Sequence, residues 1–163
     1  MATSSKLTVS LPSDREIQMT REFDAPRDLV FEAFTSCQHM THWWGQAGST
    51  LVTCEMEFRP GGHWRYVERD KEGAEWGFRG EYRAVARPER ITWTFEFEGM
   101  PGHVSEETMV FEEHAGRTRI VTTSVFQSTE DRDGMIATGM EQGAGEAYDR
   151  LEEYIRTLAA TRP

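Results

Sequence analysis

Aromatic side chains are the residues of this chain whose type and spacing promise the most chemistry. Trp64 and Tyr66, then Trp76, Phe78 and Tyr82, then Trp93, Phe95 and Phe97 recur at even spacings in three successive stretches. That period puts each set on one face of a strand. If the hairpins keep register, the eight rings share one surface. Such a surface captures apolar or aromatic molecules by burial and ring contact. Trp43-Trp44-Gly45 adds two more large rings, one expected to anchor a helix and the other to border a pocket. Tyr66, Tyr82 and Tyr148 offer hydroxyls that could orient a guest, and the sequence does not choose among them.

Bond-making arrangements fit less well. Cys37, His39 and His42 have C-x-H-x-x-H spacing, but the three do not share one helix face and no fourth ligand stands nearby. His63, His103 and His114 fall at or near turns, where solvated histidines are ordinary. No G-x-S-x-G, P-loop, H-E-x-x-H or dinucleotide fingerprint is present. The glycine-rich run 139–145 is no phosphate loop, because no strand feeds directly into it. Carboxylates are read as lying on polar strand faces, which is solvation rather than acid–base pairing. The reading therefore assigns no catalytic residue, no metal ligand and no cofactor.

The elements that must position the rings follow from the same periodicities. Residues 1–14 read as a flexible lead-in. Ile17, Met19, Arg21 and Phe23 alternate as a first strand, and Asp24-Ala25-Pro26 starts a helix, with the acid placed to cap it. A second helical turn or two covers Cys37–Trp44 and ends at Gly45. From residue 49 the period becomes 2: Val52, Cys54, Met56 and Phe58 share a face, and Pro60-Gly61-Gly62 turns the chain back. In the strand after Trp64 and Tyr66, Trp76, Phe78, Tyr82 and Ala84 lie together; strands near 90–98, 104–113 and 117–127 complete a meander. After Gln127 the pattern is helical, with a Thr138–Glu141 capping box and Met140, Ala144, Ala147, Leu151, Ile155 and Leu158 on one face. Glu146, Asp149, Arg150, Glu152, Glu153 and Arg156 are read as its outer side. The layout is α+β.

That last helix begins with unusually small residues. Gly139, Gly143, Ala144, Gly145 and Ala147 occupy its first half, where each glycine costs about 1 kcal/mol relative to alanine. Either the helix approaches the sheet closely there, or the missing side chains leave room for a guest. On the second alternative Trp64, Tyr66, Trp76, Phe78, Trp93 and Phe95 form the floor of a ligand site, Met140 and Ala144 its roof, and Trp43 or Trp44 its rim.

Charge narrows the partners. Lysine and arginine total 18 against 28 acids, a formal charge of −10 over 163 residues. An acidic surface repels phosphate backbones and anionic membranes, so neither nucleic acid nor a membrane is expected as a partner. The two cysteines, Cys37 and Cys54, are too few for a disulfide scaffold, and no signal-peptide pattern opens the chain; a cytoplasmic protein is expected. A homodimer stays open.

Several of these stretches, taken in order, resemble one family. Arg21-Glu22-Phe23-Asp24-Ala25-Pro26, Val30-Phe31-Glu32-Ala33-Phe34-Thr35, Trp43-Trp44-Gly45, Arg59-Pro60-Gly61-Gly62, Gly80-Glu81-Tyr82, Pro88-Glu89-Arg90-Ile91, Gly139-Met140-Glu141-Gln142-Gly143 and Tyr148-Asp149-Arg150-Leu151 are similar to the SRPBCC (START/Bet v 1-like) superfamily, in the branch named for activators of a heat-shock-protein ATPase. The likeness covers about residues 15–158. It implies a helix-grip fold: a curved seven-stranded antiparallel sheet around a long C-terminal helix, two short helices, and a deep cavity between sheet and helix, in one START-like domain over residues 15–160. It implies no shared catalytic residue. Three functions follow as expectations. The first is a binding or carrier protein for a small hydrophobic or aromatic molecule. The second is an enzyme of the polyketide cyclase or hydrolase kind, and the third an interaction module with a chaperone partner.

Overall fold

A computed structural model describes residues 6–161. In chain order the elements are β1 (Thr8–Ser10), β2 (Glu16–Phe23), α1 (Arg27–Glu32), α2 (Cys37–Met40), β3 (Thr50–Met56), β4 (His63–Arg69), β5 (Glu75–Ala86), β6 (Arg90–Phe97), β7 (Val104–His114), β8 (Arg117–Val125), α3 (Thr129–Ala137) and α4 (Met140–Thr161). The strands form one curved antiparallel sheet in the order β1-β2-β8-β7-β6-β5-β4-β3, which gives the expected helix-grip layout with the short helices and the long α4. Among the described residues eight strands are present rather than seven. The added one, β1, falls in the expected lead-in, where Thr8–Ser10 pair with Gln18–Thr20; residues 1–5 of that lead-in lie outside the described residues.

The meander follows the hydrophobic alternation except at two register shifts. Between Leu51 and Thr53 the pairing of β3 with β4 slips, so Leu51 is buried and Val52 is exposed. Between Tyr82 and Ala84 the pairing of β5 with β6 slips as well. Ala84 is therefore moved off the face of Tyr82, and Val85 joins the core instead. At the β3–β4 hairpin only Gly61 has positive φ, +84°. Gly62 is needed for another reason, since a Cβ there would run into the Glu57 carbonyl.

Helix ends differ from the sequence reading in informative ways. Pro26, not Asp24, is the N-cap of α1, and the free Arg27 N–H is taken by Glu113 Oε1 from β7 at 2.6 Å. Ser36 caps α2 through His39 N–H. The C-terminal helical stretch is two helices: Ser128 caps α3 by accepting from Asp131 N–H, and Thr138 ends it rather than opening α4. Gly139, at φ +82°, makes the break, a conformation that costs other residues about 1–2 kcal/mol. α4 then runs 22 residues, roughly 33 Å.

Cys37, at the start of α2, is bonded to Cys54 of β3, with Cα atoms 5.8 Å apart. Sequence reading left these thiols unpaired. The bond ties the segment carrying Trp43 and Trp44 to the edge of the sheet. Disulfides persist in oxidising surroundings, so the cysteine count does not support the expected cytoplasmic setting. Among the described residues no helix is long and apolar enough to cross a membrane. The core gathers Phe23, Leu29, Phe31, Phe34, Phe111 and Ile120 under Tyr148, Leu151 and Ile155 of α4.

Candidate functional site

Register places all eight strand aromatics on the face of the sheet that carries the core. Tyr66 lies opposite Phe78, Phe78 opposite Phe97, and Tyr82 opposite Trp93. Trp64 and Trp93 stack with centroids 4.2 Å apart, and Trp64 also approaches Phe95. Gly80 makes this stack feasible. It sits opposite Trp64, a Cβ on it would come within 2.6 Å of the indole nitrogen, and that nitrogen donates to Thr94 O at 3.2 Å.

The two adjacent tryptophans have separate fates. Trp43 is buried and donates Nε1–H to Ala33 O at 2.9 Å, which anchors α1 to the segment after α2. Trp44 turns onto the floor, with centroids 4.9 Å from Tyr66 and 6.2 Å from both Phe78 and Trp93. Its indole N–H is buried with no partner among the described residues. Trp44 thus occupies space on the inner face where a cavity was expected. Trp64, Tyr66, Tyr82 and Trp93 on the same face are buried.

Away from Trp44 the face opens. Phe78, Phe95 and Phe97 are half-buried, and Trp76 is 41% exposed, its Nε1 donating to Asp70 Oδ2 at 3.0 Å. Met140 and Ala144, the expected roof, are also half-buried. Close approach does not explain the glycines of α4: a Cβ on Gly139 or Gly145 would meet nothing within 4 Å, and one on Gly143 would touch Gln46 Cγ at 3.8 Å.

Three charged residues on this side escaped the sequence reading. Glu107 of β7 lies between Trp93 of β6 and Ser124 of β8, which are its paired positions in the ladders. Trp93 Nε1–H donates to its Oε1 at 2.8 Å and Ser124 Oγ–H to its Oε2 at 2.8 Å. Burial pushes this carboxyl up from its ordinary range, and the two hydrogen bonds offset part of that. Trp93 and Ser124 are buried, yet Glu107 keeps accessible surface. Arg21 of β2, 1% exposed, meets Asp149 Oδ1 at 2.7 Å and Glu152 Oε2 at 3.6 Å, so these two acids of α4 are tied to the sheet. Arg150 is not on the outer side either; its Nη1 donates to the carbonyls of Trp44 and Gly45 at 3.3 Å and of Gln46 at 3.0 Å. It fixes the loop that delivers Trp44.

Acid–base capacity inside is limited. Burial pushes the Tyr82 and Tyr148 hydroxyls up to about 12 and Tyr66 well above its usual value, so all three stay neutral near pH 7. Glu107 is the inward carboxyl with a shifted proton affinity. The C-x-H-x-x-H residues are engaged elsewhere: Cys37 in the disulfide, His39 Nδ1 at 2.6 Å from Tyr154 Oη, and His42 stacked on the Tyr154 ring. Among the described residues no group of three His, Cys, Asp or Glu is placed to hold a metal ion.

Two open clefts lie off the aromatic face. One, of about 660 Å³, runs among Glu55, Glu57, Arg65 and Arg79 on the outside of β3–β5. The other, about 460 Å³, lies between Leu7 and the start of α4, over Arg21. Arg65 and Arg79 are matched by Glu98 and Glu96. Lined chiefly by charge and open to water, these clefts offer an apolar molecule less than the half-buried rings do.

The family model described as Activator of Hsp90 ATPase homolog 1-like protein matches residues 24–156. No curated protein matches the chain. Among solved structures the chain is similar to a Rhodobacter sphaeroides protein, at 24% identity and TM-score 0.84 over 95% of this chain and 99% of that one. A Nitrosomonas europaea protein gives 21% identity and TM-score 0.82 over 92% and 99% of the respective chains. CalU16 from Micromonospora echinospora gives 23% identity and TM-score 0.67 over 96% and 78%. At these identities the likeness establishes the fold.

Proposed function

The chain belongs to the Activator of Hsp90 ATPase homolog 1-like family, and we propose that it binds a small apolar or aromatic molecule on the inner face of the sheet, beneath the first turns of α4. One observation carries this reading: a gradient of accessibility along a single aromatic face. Trp64, Tyr66, Tyr82 and Trp93 are buried, whereas Phe78, Phe95, Phe97 and Glu107 on the same face keep accessible surface. A folding core has no use for half-covered phenylalanines beside a carboxyl. A guest of one or two rings would bury them and gain about 25 cal/mol for each Å² of apolar surface covered. Ring contacts would come from Phe78, Phe95, Phe97 and the edge of Trp44, with Trp76 at the outer lip and Met140 and Ala144 above.

Thermal unfolding with a panel of one- and two-ring molecules tests this. A ligand at 100 times its Kd stabilises by about 2.7 kcal/mol, roughly 5–10 °C for a domain of this size. The reading predicts that Phe95→Ala removes the shift; no saturable shift from any member of the panel contradicts it.

A second reading, an enzyme of the cyclase or hydrolase kind, is favoured by Glu107 as an inward acid. It requires product formation that Glu107→Gln abolishes while binding persists. A chaperone-directed role needs a contiguous exposed apolar patch; of the exposed large apolar side chains, Leu11, Val52, Met100, Val125 and Ile136 lie on separate segments, and Trp76 adjoins the half-buried rings assigned above to a small molecule. A cytoplasmic setting belongs to the proposal only if Cys37 and Cys54 are reduced in cells, which thiol alkylation in intact cells would show.

A further inference from the structure

Glu107 has hydrogen bonds but no counter-charge. Trp93 Nε1 can only donate, and with Ser124 it supplies one donor to each carboxylate oxygen at 2.8 Å. One lone-pair direction per oxygen is left over. Among the described residues no lysine, arginine or histidine forms an ion pair with Glu107, and Arg21, the nearby buried cation, is committed to Asp149 and Glu152 of α4. A carboxyl enclosed by protein and lacking a cation is costly as an ion. Here the residue as a whole is only half-buried, and it stands on the aromatic face itself.

We propose that the ligand is an organic cation: an aromatic or alkyl ammonium whose body lies on the half-buried rings and whose charged nitrogen reaches Glu107. This rests on the reading that the inner face takes a small molecule, and names its chemical class. Two features of the face favour an ammonium over a neutral guest. Glu107 presents acceptors that only a donor can satisfy when it is ionised, and an ammonium brings both donors and the missing charge. Trp93 holds the carboxyl directly, the Trp44 and Phe95 rings lie 6.2 and 6.3 Å from the Trp93 ring, and ring faces attract cations within about 6 Å, tryptophan most strongly. Ion pairing needs the ionised carboxyl, so any proton Glu107 carries in the free protein leaves to solvent as the ammonium enters. The net charge of −10 adds a general attraction for cations at the surface, and the test must separate that from Glu107.

The experiment compares 1-naphthylmethylamine with 1-naphthylmethanol, which match in shape and differ in charge at pH 7. Binding is titrated calorimetrically at about 0.15 M salt, where surface attraction is screened beyond roughly 8 Å. The amine is expected to bind at least tenfold more tightly than the alcohol. Glu107→Gln should remove that preference while changing the alcohol's affinity by less than about threefold. Glu106→Gln, which deletes the same charge from the adjacent, exposed position on the other face of β7, should keep it. Equal affinity of amine and alcohol for the unmodified protein overturns the inference and leaves the apolar-ligand reading standing. A preference that survives Glu107→Gln, or that falls equally in Glu106→Gln, also overturns it. Failure of both molecules to bind removes the two readings together. Should Glu107→Gln not fold, the indole N–H signal of Trp93, bonded to Glu107, decides on the unmodified protein: it should shift and saturate with the amine, and a preference for the amine without that shift overturns the inference.

Discussion

Alanine in place of Gly145 should stabilise the protein. Gly145 lies inside α4 with helical backbone, and a Cβ built on it meets nothing within 4 Å. With no contact to lose, the substitution gains the helix-propensity difference of about 0.5–1 kcal/mol, part of it from the restricted unfolded chain. Gly143→Ala should add a similar increment, because its Cβ would touch only Gln46 Cγ, at an ordinary 3.8 Å. Together they give roughly 1–2 kcal/mol, or about 2–8 °C in Tm. Gly139 is the internal contrast. Its surroundings are equally open, but its φ of +82° penalises a side chain, and Gly139→Ala should lose about 1 kcal/mol. Urea unfolding followed by helical circular dichroism reads all three, with unchanged m-values showing that the unfolded state is comparable. Destabilisation by the Gly143/Gly145 double variant would mean that α4 rests on its neighbours at these positions, and the open surroundings read at Gly145 would be wrong.

Other positions are open to the same kind of test. Gly80→Ala should cost on the order of 2–3 kcal/mol, because its Cβ is directed at the Thr94 carbonyl and the Trp64 indole, neither of which can yield cheaply; denaturation midpoints measure it. Reducing the Cys37–Cys54 bond, which closes a sequence separation of 17, should cost about 3 kcal/mol on a chain-entropy basis, seen by comparing unfolding with and without a dithiol. Glu107 holds its proton to higher pH when folded than when unfolded, so its contribution is fully present below the ordinary carboxyl range near pH 4.3 and fades as pH rises through the folded value. The stability of the unmodified protein relative to Glu107→Gln should therefore fall with rising pH; a difference that is flat or rises would refute the burial argument.

Much of the fold was readable because strands announce themselves with a period of 2. The aromatic face needed only that period and hairpins that keep register, and Tyr66, Phe78 and Phe97 do pair across the sheet. What escaped has physical causes. Register shifts at Val52 and after Tyr82 reverse the parity of the residues beyond them, and such shifts are decided by ladder pairing rather than by residue type. Glu107 hid beside Glu106, where two adjacent acids read as a solvated edge; counting back by twos from Phe111 and Met109 reaches it. The alternation placed Arg21 in line with Ile17, Met19 and Phe23 but gave it no partner, and Arg150 was set on the outer side for its charge, although a guanidinium on a long stem is well suited to pairing carboxylates and capping loop carbonyls inside a protein. The disulfide depended on α2 folding back onto β3, which cysteine spacing does not reveal. Thr138 looked like a helix start because Glu141 follows three residues later, but its hydroxyl turns back to Met135 O at 2.6 Å.

The indole N–H signals of the tryptophans give the most direct test of a guest beneath α4, since nitrogen-15 spectra resolve each one during a titration with 1-naphthylmethanol. Trp44 and Trp93, one with an unpartnered N–H and the other bonded to Glu107, should shift together and saturate at one equivalent, while Trp43, whose N–H is held by Ala33 O, should shift less than either. Saturating shifts confined to the exposed Trp76, or no saturable shift at Trp44 and Trp93 with any one- or two-ring probe, would contradict an internal site.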